Sequence, residues 1–190
     1  MAIILTPVRP VTDEELLELS RRNPGYQFER SAKGELVVTP TGSEAGRLEQ
    51  ELSLQLGVWT KRDGRGIAFS PATGFRLPDG SLLSPDASWM PRDRWGALTA
   101  EERQGFAPLC PDAVFEIRSE SDRLGDLQAK MAAYLRNGAP LAVLIDPQGR
   151  TVEVYRPGEQ ARAFRDARTV TLTFEPELPG FALDLGAIYP

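Results

Sequence analysis

A chain of 190 residues, 41% apolar and 26% charged, has the composition of one soluble domain with a real core. Its net charge of -5 argues against nonspecific coating of nucleic acid, which rests on many Lys and Arg contacts to phosphate, and leaves room only for a local basic groove. Zero histidines exclude Ser-His-Asp and Cys-His nucleophiles and every His-ligated metal site, and the single Cys110 excludes an internal disulfide and a cysteine zinc site.

In chain order, MAIILTPVRP carries a four-residue apolar run before Pro and Arg, too short for a secretory leader. Nowhere do 18 apolar residues run together, so a cytoplasmic protein is expected. Thr12-Asp13-Glu14-Glu15 has capping-box spacing, and Leu16, Leu17 and Leu19 predict a short helix that Asn23-Pro24-Gly25 ends. Residues 26–30 and 35–38 flank Ser31-Ala32-Lys33-Gly34 as a hairpin. Leu48, Leu52, Leu56 and Trp59, spaced by four and three, predict a longer helix that runs to about Gly64, with Ser43 as its N-cap.

From Ile67 the period changes to that of consecutive strands, broken by the Pro78-Asp79-Gly80 turn and continuing through LLSPDASWM. Residues 91–110 read as an irregular excursion with a helical piece near Ala100. A strand over 113–118, a helix over 122–137 with Asp122 as its cap, and a buried strand over 141–146 follow. Residues 151–156 and 169–174 read as further strands. The strand, helix, strand unit favours a parallel crossover in a mixed α/β fold.

The 22 basic residues include only three lysines, Lys33, Lys61 and Lys130, the other 19 being arginine. Arginine is essentially never deprotonated, so any basic side chain that must handle a proton is one of the three. Arg92, Arg94 and Arg103 in the excursion read as solvated loop charges, with a phosphate-binding surface as the alternative.

The strand over 113–118 runs its apolar residues straight into Glu116. Asp112, four residues earlier on the same strand, stands roughly 13 Å away at about 3.3 Å per residue, too far to share a cation easily. Asp86 belongs to an earlier strand, and adjacent strands lie about 4.8 Å apart, so Asp86 and Glu116 converge if those strands pair. On the following helix Leu124, Leu127, Met131, Tyr134 and Leu135 form the apolar stripe. Lys130 borders that stripe and can aim its ammonium toward the sheet. Taken singly these residues read as a strand-end acid, a helix lysine and a turn aspartate; their combination in order is what points to a site.

The series Ser84-Pro85-Asp86, then Pro111-Asp112 through Glu116, Arg118, Ser119 and Ser121, then Asp126, Lys130, Tyr134, Gly138 and Leu144-Ile145-Asp146-Pro147 resembles the Uma-type restriction endonuclease family. That family belongs to the PD-(D/E)XK nuclease superfamily. The resemblance covers about residues 12–156 and is specific from 84 to 147. It implies one restriction-endonuclease-like domain over residues 1–190, with a central mixed sheet flanked by helices and the active site at strand ends.

By that resemblance Asp86 and Glu116 are catalytic acids that ligate Mg²⁺ or Mn²⁺, and the substrate is nucleic acid, chiefly DNA. The superfamily's lysine, two residues after the second acid, is replaced by Arg118, and Lys130 on the next helix takes its place. Glu44 or Glu49 would supply an extra acid from the first core helix. Such chemistry fits oxygen ligands for a hard cation, with Lys130 positioning water, stabilising negative charge or, with a lowered pKa, accepting a proton. A homodimer is expected for double-strand cleavage. Two rivals are a weak or inactive nuclease-fold binding module, favoured by Arg118 and the acidic charge, and a serine-lysine hydrolase built on Ser119 or Ser121 with Lys130.

Overall fold

The computed structural model describes residues 2–166 and 171–189. After the short strand β1 (Ile3–Leu5), the first helix, α1 (Asp13–Arg22), begins as its capping box dictates: Thr12 accepts from Glu15 N–H while the Glu15 carboxylate accepts from Thr12 N–H. The hairpin follows as β2 (Tyr26–Arg30) and β3 (Leu36–Pro40). Gly34 takes φ +82 in its turn, where a Cβ would stand 2.8 Å from Pro10.

The long helix α2 (Ser43–Asp63) buries Leu48, Leu52, Leu56 and Thr60 and ends on a left-handed Gly64. Its N-cap is Gly42, with no side-chain hydrogen bond, so Ser43 is the first helical residue and not the cap.

The strands β4 (Gly66–Phe69), β5 (Phe75–Arg76), β6 (Leu82–Leu83) and β7 (Ala87–Pro91) divide between two sheets. The five-stranded sheet has the order β1-β3-β2-β6-β5. The six-stranded sheet has the order β11-β10-β9-β8-β7-β4, with β8 (Ala113–Ile117), β9 (Leu141–Asp146), β10 (Thr151–Tyr155) and β11 (Arg162–Arg165). The pairing of β8 with β9 is parallel, bridged by α5 (Leu124–Arg136), whereas β7 with β8 is antiparallel. The predicted crossover is therefore present.

In the excursion, α4 (Ala100–Gln104) matches the expected helical piece and carries a second capping box, Thr99 with Glu102, while α3 (Arg92–Gly96) was not expected. Of the strand anticipated over 169–174, β12 (Thr171–Phe174) is present and residues 169 and 170 lie outside the described residues. It pairs with β13 (Leu178–Asp184), whose Pro179 and Gly180 hide it from an alternation test.

Strand alternation splits the core in two. Ala113, Phe115 and Ile117 face α2 and β13, packing with Leu52, Leu56, Phe174 and Phe181. Val114, Ala142 and Leu144 face α5, packing with Met131 and Tyr134. Each fully buried large side chain here is worth about 1.5–3 kcal/mol of transfer free energy. That two-sided burial holds β8 in register, and β8 carries the acid.

Candidate active site

The register of β7 against β8 places Ala87 opposite Phe115, which brings Asp86 beside Glu116. Both acids are buried, Asp86 at 8% exposure and Glu116 at 3%. Asp86 Oδ2 accepts from Ile117 N–H at 2.6 Å, which locks its carboxylate onto the end of β8. From α5, Lys130 Nζ lies 2.8 Å from Glu116 Oε1, and one helical turn on Tyr134 donates its hydroxyl to the same oxygen at 2.9 Å. The ammonium also meets Glu29 Oε1 at 2.9 Å. Glu29 comes from β2, in the other sheet, and its Oε1 further accepts from Ser84 N–H at 2.6 Å.

The structure thus brings together Asp86, Glu116 and Lys130, as the sequence spacing anticipated, and adds Glu29 and the Tyr134 hydroxyl. Glu29 carries no signal in the sequence: it stands in a hairpin strand beside Phe28, and only the pairing of Arg30 with Leu82 brings it next to Ser84. Of the two helix acids, Glu49 is half-buried and near enough to repel a charge on Asp86, whereas Glu44 is exposed and paired with Arg47.

Acids outnumber cations here, and protonation responds. Burial, then the charges of Glu116 and Glu49, hold the Asp86 carboxyl well above the usual range, against the pull of Lys130. Burial likewise raises Glu116 to about 7, opposed by Lys130 and assisted by Glu29. Burial alone would lower Lys130, but Glu116, Glu29 and Asp86 together outweigh it and hold the ammonium charged. The expectation that Lys130 accepts a proton through a lowered pKa is therefore corrected, because three acids around one amine favour its charged form. Tyr134 is raised well above its ordinary value, by burial first and by Glu116 next, and stays a hydrogen-bond donor.

The hydrogen bonds and ion pairs of the cluster engage Asp86 through Oδ2 and Glu116 through Oε1, leaving the second oxygen of each outside these contacts. Among the described residues no three His, Cys, Asp or Glu side chains are gathered in metal-holding geometry. Two carboxylates nevertheless suit Mg²⁺, which keeps several waters and takes one or two protein carboxylates. The surplus of negative charge fits a divalent cation as well.

Arg118 stands two residues after Glu116, but its Nη1 donates to Asp146 Oδ2 at 2.9 Å and its Nε to Asp122 O at 3.2 Å. Ser119 Oγ donates to Asp122 Oδ2 at 2.6 Å and meets Ser121 Oγ at 3.2 Å. With Lys130 held by Glu116 and Glu29, the serine-lysine dyad is not formed. Asp122 caps the Ser119 turn, and the N-cap position of α5 falls to Arg123. In the excursion, Arg92 donates to Gly64 O, Arg94 pairs with Asp112, and Arg103 donates to Gly96 O and Leu98 O above the Trp95 ring. These arginines are exposed, as expected of charges on a solvated excursion, and each also has a partner within the fold.

The model of the Uma2 family, described as "Putative restriction endonuclease", matches residues 13–186. The chain belongs to the Uma2 family. A solved structure of a putative nuclease of the DUF820 group from Anabaena variabilis superposes with a TM-score of 0.73, covering 95% of this chain and 98% of that chain at 21% identity. That likeness carries the fold, which is restriction-endonuclease-like. A DrdV–DNA complex superposes with a TM-score of 0.33 over 61% of this chain and 12% of that chain, at 13% identity, too slight a likeness to carry an argument. No match was found among curated proteins. Within the Uma2 frame the cluster lies at the junction of the two sheets, and among the described residues no helix is long and apolar enough to cross a membrane.

Proposed function

We propose that this Uma2 protein is a Mg²⁺- or Mn²⁺-dependent endonuclease that hydrolyses phosphodiester bonds in DNA. One observation carries the reading: two buried acids from paired strands converge with a lysine from the next helix, Lys130 Nζ standing 2.8 Å from Glu116 Oε1. Asp86 and Glu116 would hold the cation through oxygen donors. When bound, it would supply polarisation of a nonbridging phosphate oxygen and acidification of a water.

The chain's own residues do the rest. Lys130, charged, offers its N–H donors to negative charge that develops on the phosphoryl group. Ile117 N–H fixes Asp86, and the Tyr134 hydroxyl fixes Glu116. Arg118 is bound to Asp146 and Asp122, so its replacement of lysine takes nothing from the cluster. That weakens the case for an inactive binding module.

The test is nicking of supercoiled plasmid by the purified protein with Mg²⁺ or Mn²⁺, beside EDTA and Asp86→Ala controls. Cation-dependent nicking that Asp86→Ala abolishes supports the proposal. Retained nicking in Asp86→Ala sinks the site. Absence of cleavage together with absence of cation binding by calorimetry favours the noncatalytic module. A homodimer is part of the proposal for double-strand cleavage, and a monomer that makes concerted double-strand breaks would remove it.

A further inference from the structure

Glu29 is a buried acid of the cluster to which the proposed reaction gives no role. Its side chain makes two contacts through the same oxygen, one to Ser84 N–H at 2.6 Å and one to Lys130 Nζ at 2.9 Å. Ser84 lies two residues before Asp86, and Lys130 has Glu116 as its other partner at 2.8 Å. Glu29 therefore touches both things that set the site, the segment that delivers Asp86 and the ammonium beside Glu116. A neutral amide would satisfy Ser84 N–H equally well; the negative charge is needed only by the lysine. A lysine side chain is long and rich in rotamers, and one carboxylate does not define where its ammonium rests.

We propose that Glu29 is a positioning residue of the Uma2 site: its carboxylate holds the Lys130 ammonium against Glu116 and, through Ser84 N–H, sets the segment that carries Asp86. The proposal rests on the nuclease reading of Asp86, Glu116 and Lys130. With anchors on two sheets, Lys130 keeps an anionic partner from β2 whatever Glu116 binds. A misplaced ammonium would slow the chemical step while leaving DNA affinity alone, because Glu29 is buried 9% exposed and distant in role from the substrate surface.

The experiment uses the full chain and two readouts. The first is independent of cleavage: acylation by acetic anhydride at pH 8, followed by peptide mass spectrometry, with the exposed Lys33 and Lys61 as internal controls. In the wild type Lys130 is expected to react at least about tenfold more slowly than either. In Glu29→Gln its rate rises several-fold, while Lys33 and Lys61 are unchanged. Glu29→Asp restores part of the protection.

The second readout is plasmid nicking, in which Glu29→Gln lowers kcat about tenfold or more with KM unchanged. A purely structural role would lower the denaturation midpoint without a selective change at Lys130. Wild-type protection of Lys130 in Glu29→Gln overturns the proposal, even if cleavage slows, because the effect would not pass through the lysine. If the wild type neither cuts plasmid nor binds the cation, the nuclease reading falls and the labelling still decides the positioning claim. If Glu29→Gln does not fold, Lys130 reacting as fast as Lys33 in the wild type overturns it.

Discussion

Two Pro-Asp dipeptides enter neighbouring strands, Pro85-Asp86 before β7 and Pro111-Asp112 before β8, and the fold surrounds them differently. Asp112 has a cation of its own, Arg94, which also donates to Cys110 O. Burial raises the Asp112 carboxyl, and Arg94 works against that rise. Among the described residues Asp86 has no cation to itself: Glu116, Glu29 and Glu49 share its surroundings with Lys130 alone. A balanced pair is finished by the fold, whereas an acid surplus at strand ends suits the cation of the proposed reaction. The difference separates a structural aspartate from a candidate ligand where the dipeptide itself does not.

The sharpest break of that comparison is in cleavage. Asp86→Ala and Glu116→Ala are each expected to lower the cation-dependent nicking rate by about a thousandfold or more, while Asp112→Ala stays within about threefold of wild type when assayed as folded protein. Equal losses in Asp86→Ala and Asp112→Ala would erase the distinction.

Next in size is Lys130→Met, which leaves Glu116 and Glu29 buried without their shared cation. Its expected cost is about 3–5 kcal/mol of unfolding free energy, read from urea midpoints of the metal-free protein. The two aspartates should then respond with opposite signs to the same chemical change. Asp86→Asn keeps an acceptor for Ile117 N–H, relieves the acid surplus and is expected to stabilise the metal-free protein by about 1 kcal/mol. Asp112→Asn removes the partner of the half-exposed Arg94 and should cost about 1 kcal/mol, the modest scale of a partly exposed pair. Destabilisation by both would mean that the surplus costs the fold nothing.

The pH response has a definite sign. Asp86 and Glu116 have folded pKa values above their unfolded ones, so the folded state binds the extra protons. Stability of the metal-free protein is expected to fall as pH rises from the ordinary carboxylate range near 4.5 through about 7, and the slope should flatten in Glu116→Gln. Thermal melts across that window check it. The smallest effect is at Cys110, 2% exposed three residues before β8, whose thiol burial pushes up to about 12. At pH 8 it should resist a disulfide reagent in the native protein and react fully in urea.

Much of this was legible beforehand for reasons that act locally. The capping box of Thr12, the α2 stripe of Leu48, Leu52 and Leu56, and the period change near Ile67 each depend on neighbours within a few residues. So did the alternation that put Phe115 and Glu116 on opposite faces, and the place of Lys130 at the border of the α5 stripe. The misses have the opposite character. Short β1 and exposed β11 lack alternation to detect, and β13 has it interrupted by Gly180 at φ +73. Asp122 looked like a helix cap because its chemistry suits one, but the nearer Ser119 turn took its side chain.

By itself, the sequence determined which chemistry was open to this protein. With no histidine and one cysteine, any catalysis falls to carboxylates, lysine, hydroxyls or a bound hard cation, and the order of its motifs carried the family. Tertiary structure alone decided which acids meet. Glu29 within β2 and Asp112 just before β8 are both acids next to apolar residues, and local pattern does not say which one joins the cluster. The pairing of β2 with β6 and of β7 with β8 sends one to Lys130 and leaves the other with Arg94, because strand register is set by packing on both faces of the sheet.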